Sequence, residues 1–186
     1  MTVQYPDVMI DIETTGTQPD RHAILQIAAV RFNLKEGTVS HDFFEGCLLM
    51  PNNRSWSEST RKWWASQDKA ILEDILLRAR EPKEVLTQLC EWAAPAGQMR
   101  FWSKPSHFDY MFLSSYLADY DLPQMFGHSE ATDVRSFIRG LHQDPDAKWD
   151  EPKVQGGAHN ALNDCLQQIG FLFEEYNKVK MVTVDA

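Results

Sequence analysis

Five residues of this 186-residue chain have side chains whose types and spacing could do chemistry together: Asp11, Glu13, Asp109, His159 and Asp164. Asp11 and Glu13 stand two apart in Asp11-Ile12-Glu13-Thr14-Thr15-Gly16, directly after the apolar run Val8-Met9-Ile10. The run reads as a strand. Successive strand residues point to opposite faces, so the two carboxylates share one side while Ile10 and Ile12 share the other. Paired carboxylates of this kind offer oxygen ligands to a hard divalent cation; taken alone, they could equally be a solvated strand edge.

Asp109 closes the segment Trp102-Ser103-Lys104-Pro105-Ser106-His107-Phe108-Asp109, and His159 and Asp164 lie in Gly156-Gly157-Ala158-His159-Asn160-Ala161-Leu162-Asn163-Asp164. Five positions on one helix place two side chains about 140° apart, so His159 and Asp164 cannot both face one site from a single helix. They can if Asn160 caps the helix: Asp164 then sits in its first turns, and His159 hangs from a preceding loop that Gly156 and Gly157 make pliable. An unperturbed imidazole titrates at about pH 6.5, so such a histidine could take a proton from water at neutral pH. General-base catalysis of this kind is typically worth about 10² to 10⁴ in rate. No Cys/His cluster suggests zinc instead.

The order Asp-x-Glu, then Asp, then His-x-x-x-x-Asp, spread from about Val8 to Tyr176, resembles the DEDDh, or DnaQ-like, superfamily of 3′-to-5′ exonucleases. The resemblance implies a ribonuclease-H-like fold and two divalent ions, Mg²⁺ or Mn²⁺, held at Asp11, Glu13, Asp109 and Asp164. It also implies His159 as the general base, with nucleoside 5′-monophosphates released from the free 3′ end of single-stranded RNA or DNA. The Trp102–Asp109 segment and Trp63-Trp64-Ala65-Ser66-Gln67 resemble a small bacterial and phage exoribonuclease branch, which favours RNA, including 3′ overhangs. That branch is dimeric, implying a homodimer paired through an exposed hairpin or the C-terminal tail. Two alternatives stand beside it: a DNA-directed exonuclease of the proofreading or phage-recombination type, and a catalytically silent nucleic-acid-binding module. The complete set of acids argues against the second, because an unneeded acidic cluster costs electrostatic repulsion.

Other residues support two readings each. Thr14, Thr15 and Gly16 follow the acids, and in the resembling family this turn contacts the terminal nucleotide; Gly and Thr are also ordinary turn residues. Trp63 and Trp64 could stack bases, although aromatic residues at helical positions are usually core; adjacent positions face about 100° apart, so at most one meets the substrate while its neighbour packs inside. Trp63 is the expected substrate residue. Lys104 reads as solvated or as a phosphate contact, and nothing in the spacing of Asp133 requires a part in the site.

The elements that must position these groups follow from the pattern. Val8–Glu13, Ile24–Phe32 and Val39–Leu49 read as three antiparallel strands, with Lys35-Glu36-Gly37 as a hairpin turn. From Pro51 to Pro95 the period turns helical, enough for two or three helices with Ile71, Ile75, Leu76, Val85, Leu86 and Leu89 inward. Met99–Trp102 is a fourth strand, and Pro105-Ser106 introduces a helix with Phe108, Phe112 and Leu113 on one stripe. Ala131–Asp133 is a fifth short strand before a helix at Val134–Leu141. The last helix spans about Asn160 to Lys178, its inward stripe being Leu162, Leu166, Ile169, Phe173 and Tyr176. Strand-helix alternation after a hairpin start predicts an α/β fold, a mixed five-stranded sheet flanked by helices. Residues 1–178 read as one exonuclease domain and 179–186 as a short tail.

Composition sets the outer bounds. An apolar content of 43%, with 11% aromatic, excludes a disordered chain. No apolar run is long enough to span a bilayer, and three unpaired cysteines, most simply core as are the methionines, point to the reducing cytoplasm. The net charge of −9 opposes binding of a polyanion along a broad surface. Divalent ions among clustered acids would reverse the field where the scissile phosphate must lie.

Overall fold

A computed structural model describes residues 5–94, 99–149 and 159–184 of the chain. Among these are five strands, β1 Asp7–Thr14, β2 Ile24–Asn33, β3 Thr38–Cys47, β4 Arg100–Ser103 and β5 Ala131–Asp133. Six helices accompany them: α1 Glu58–Ala65, α2 Lys69–Leu77, α3 Pro82–Ala93, α4 Ser106–Asp119, α5 Val134–His142 and α6 Ala161–Val184. The strands form one mixed sheet in the order β3-β2-β1-β4-β5. β1 and β3 run antiparallel to β2, while β4 runs parallel to β1, and β5 to β4.

β1 is the central strand, and its alternation separates two cores. Val8, Ile10 and Ile12 pack with Ile24, Leu86 of α3 and Phe112 of α4 on one face. Met9 packs with Ala28, Phe32 and Trp102, beneath Ile138 of α5 and Cys165 and Leu172 of α6, on the other. Burial on both faces explains why this strand is apolar almost throughout and alternates only where Asp11 and Glu13 interrupt it. A buried acid sets the register at its start: Asp7 Oδ1 accepts from Arg100 Nε at 2.7 Å and Trp102 Nε1 at 2.9 Å, and Oδ2 accepts from the Leu34 amide at 3.2 Å. Gly37 supplies the left-handed residue, φ +64°, that the β2–β3 turn requires.

The strand and helix spans meet the sequence expectations closely, with three corrections. α6 continues to Val184, beyond the expected end at Lys178. Its inward stripe is Ala161, Cys165, Ile169 and Leu172, whereas Leu166 is 45% exposed and Leu162, Phe173 and Tyr176 are only partly buried. Hydrophobicity favoured the leucine over the small cysteine, but α6 lies so close over β1 and β2 that Cys165 Sγ is 3.6 Å from the carbonyls of Met9 and Ala28. Small residues permit that approach. Leu76, expected inward, is exposed, and so are Met50 and Met111, so the core holds only part of the methionine set. The Gly156-Gly157 loop lies outside the described residues.

Candidate active site

Three elements converge at the end of β1. Asp11 and Glu13 project from β1 toward the face that α6 covers. β4 stops opposite Met9, so beyond that point the β1 edge is open, and Asp109 in the first turn of α4 fills it: its Oδ1 accepts from the Ile12 amide at 3.1 Å. α4 is steered there by Asp133, whose Oδ2 accepts from the Ser106 amide at 3.0 Å while Oδ1 caps α5 through the Ser136 amide at 2.8 Å. Asp133 therefore aims α4, and its carboxyl sits below the usual range; burial pushes it up, but the bonds from Ser136 and Ser106 outweigh that.

α6 delivers the rest. Asn160 caps it, its Oδ1 accepting from the Asn163 amide at 3.1 Å, and the buried Gln26 of β2 accepts from the Ala161 amide at 2.9 Å, tying the helix start to the sheet. His159, just before the cap, takes the left-handed conformation at φ +68°. This turn resolves the angular conflict between His159 and Asp164. Ligand atoms of Glu13, His159 and Asp164 all lie within 4.8 Å of one another.

The acids are held at an electrostatic cost. Burial, then the charges of Asp109, Glu13 and Asp164, pushes Asp11 well above the usual carboxylate range, against a bond from Gln168. Glu13 rises to about 8, first through burial and then through Asp164 and Asp109. Asp109 rises to about 7 through burial, although Ser103 and the amides of Asp109 and Ile12 favour its ionised form. The Ser103 hydroxyl is itself buried and makes no well-aligned hydrogen bond. Clustered carboxylates that raise one another's pKa are short of positive charge, and a set of carboxylate oxygens beside one imidazole suits a hard divalent ion.

Around this cluster the residues named from sequence divide. Trp63 is 39% exposed and meets the His159 ring edge-on, centroids 4.5 Å apart, while Trp64 is 2% exposed in a core with Leu25, Cys47 and Ile75. The turn after the acids is buried. Thr14 Oγ1 donates to the Gly16 carbonyl at 2.7 Å; Thr15 Oγ1 donates to the Ser55 carbonyl and accepts from the Ala23 amide, both at 2.7 Å. A Cβ on Gly16 would come within 2.4 Å of the His22 ring, so glycine is needed for close packing there. Gln26, Gln168 and Asp7 were missed in the sequence, because a lone polar residue within an apolar run gives no period or motif to read.

A family model, the 3′-5′ exoribonuclease Rv2179c-like domain, matches residues 6–174. The chain belongs to that family. The fold of this family member also matches solved nucleases. Exonuclease I from Methylocaldum szegediense is 15% identical with a TM-score of 0.66, over 92% of this chain and 42% of that one. The zinc-ion-bound Escherichia coli exonuclease I–single-stranded DNA complex is 12% identical, TM-score 0.67, over 96% and 41%. Cell-death related nuclease 4 is 16% identical, TM-score 0.65, over 95% and 66%. The chain thus spans about two-fifths of the length of the exonuclease I structures. These likenesses show the fold, a mixed ribonuclease-H-like sheet with flanking helices. No curated protein matches the sequence. Among the described residues, no helix is long and apolar enough to cross a membrane.

Proposed function

We propose that residues 1–178 act as a single-domain exonuclease that shortens single-stranded RNA from its 3′ end, including 3′ overhangs, and releases nucleoside 5′-monophosphates. The observation that carries this reading is the meeting of Glu13, His159 and Asp164 within 4.8 Å, beside the half-buried carboxylate of Asp11 and the buried one of Asp109. The description of the matching family as exoribonuclease supports RNA over DNA.

Asp11, Glu13, Asp109 and Asp164 would hold two divalent ions, Mg²⁺ or Mn²⁺. Bound there, the ions would neutralise the acids and polarise the scissile phosphate. The protein's own part is geometric and protolytic. Trp63 stacks on the terminal base, and the turn at Thr14, Thr15 and Gly16 borders the terminal nucleotide through its backbone. His159 takes the proton of the attacking water at a ring nitrogen as the P–O3′ bond breaks in line, and the leaving 3′-oxygen takes a proton from solvent to become the new 3′-hydroxyl. Trp63 packed against one side of the imidazole limits its rotation, so the base is oriented before substrate arrives.

The test is a denaturing gel of matched 5′-labelled RNA and DNA with Mg²⁺, Mn²⁺ or a chelator, beside Asp11→Asn. A metal-dependent ladder from the 3′ end, faster on RNA and absent in the variant, is expected. Equal or faster cutting of DNA would favour the DNA-directed alternative. The same reading makes the enzyme cytoplasmic, where its three free cysteines stay reduced, and a homodimer like the branch it resembles, which light scattering would check.

A further inference from the structure

Beside the acid cluster, on the other side of α1, lies a groove of about 430 Å³ bordered by α1 and α2. Trp56, Arg61, Trp64, Lys69, Leu72 and Leu76 line most of it, with Glu73 at one side. Its volume falls within the range of roughly 300–1,000 Å³ typical of small-molecule sites. The groove shares one wall with the site. Trp64 Nε1 donates to the Thr14 carbonyl at 3.0 Å, the Ser57 amide donates to the Thr15 carbonyl at 2.9 Å, and the Trp64 ring lies 6.5 Å from that of His159. One indole therefore separates the catalytic residues from the groove.

Charge points to the occupant. The chain as a whole carries −9, yet residues 54–80 hold six Lys or Arg against four Asp or Glu. Lys62 is paired with Glu58, and Arg78 with Asp74 and Glu45, but the exposed Arg61 and Lys69 make no ion pair among the described residues. Two available cations at the rim of a trough floored by indole and leucine side chains suit an alternation of phosphates and bases. Base–aromatic stacking tolerates any sequence, because every base has a π-face.

We propose that this α1–α2 groove is an upstream subsite that holds the nucleotides preceding the terminal one, with Arg61 and Lys69 on their phosphates and Trp56 against a base. The proposal rests on the exonuclease reading and extends it, since it makes the enzyme prefer strands of several nucleotides over dinucleotides.

The test compares a dinucleotide, which spans only the scissile bond, with a heptaribonucleotide. In Arg61→Gln/Lys69→Gln, two exposed changes that spare the core, KM for the heptamer should rise about tenfold or more, with kcat and all dinucleotide kinetics unchanged. The salt slope of heptamer binding should also fall by about 1.4, from about 0.7 per phosphate contact on a single strand. Trp56→Ala should raise the heptamer KM without altering the salt slope. An unchanged heptamer KM and slope in the double variant overturns the subsite and leaves the groove to a protein partner. If the wild-type protein cuts neither RNA, the exonuclease reading fails separately. The subsite is then decided by anisotropy of a 5′-fluorescein heptaribonucleotide on Asp11→Asn protein, with and without the two substitutions: weaker binding in the double variant supports it, and equal binding overturns it.

Discussion

Gln168 Nε2 donates to Asp11 Oδ1 at 2.8 Å, and Gln168 Oε1 is buried without a hydrogen-bond partner among the described residues. The amide fixes one carboxylate oxygen of Asp11 and leaves the other available as a ligand. Gln168→Leu keeps the volume and removes that bond. Loss of such outer hydrogen bonds typically costs about 10- to 100-fold in metal affinity or activity. We expect Mn²⁺ affinity by calorimetry and kcat to fall together in that range, with Gln168→Asn recovering little because it is one methylene short. Unchanged Mn²⁺ affinity would show that Asp11 needs no such support.

The acid cluster gives the metal-free protein a defined pH dependence. Glu13 and Asp109 titrate at about 8 and 7 in the fold, above the ordinary carboxylate values of 4.5 and 3.8. The folded state therefore binds these protons more tightly than the unfolded chain, so their contribution is fully present below about pH 4 and is lost as pH rises toward 8. In chelator, Tm should decline across that window, and added Mg²⁺ should restore it at pH 8. Asp109→Asn should raise the Tm of the metal-free protein at pH 8, because it removes a buried group that must otherwise ionise, while abolishing activity.

His159 stands close enough to Glu13 and Asp164 to act either on a water or on a metal ion, and one variant separates the roles. As a base, His159→Ala should lose about 10² to 10⁴ in kcat with Mn²⁺ affinity nearly intact. A matching fall in affinity would make it a ligand instead. Trp63→Ala should raise KM in line with about 1 to 3 kcal/mol of lost stacking, and Trp63→Phe should recover much of it.

Gly16→Ala drives a methyl group to within 2.4 Å of the His22 ring, whose Nδ1 accepts from the Gln18 amide at 2.9 Å. The ring is buried and bonded and cannot easily move aside, so a loss of about 1–3 kcal/mol is expected in thermal unfolding. If Gly16→Ala instead leaves Tm unchanged but weakens RNA binding, the glycine serves the substrate directly.

Much of this molecule was legible along the chain. Val8–Ile10 leading into Asp11 and Glu13 announced the central strand, because alternation and a paired acid are both local signals. Asn160 could be read as the helix cap, and with it the placement of His159 outside the helix, because capping depends on a few adjacent residues. That Trp63 and Trp64 face different ways followed from the angle between neighbouring helical positions, but which of them faces outward did not.

Other features depended on contacts between distant segments. The inward stripe of α6 runs through Cys165, not Leu166, because the distance between helix and sheet, which no single segment encodes, selects a small side chain. Asp133 aims α4 through Ser106, 27 residues away, and Gln26 anchors α6 across 135 residues. The types of the candidate site groups, and their order, were determined by the sequence by itself. How close they come, how far burial shifts their protons, and which glutamine steadies Asp11 were decided only when β1, α4 and α6 packed together, since electrostatic coupling depends on separation in space and on the water that packing excludes.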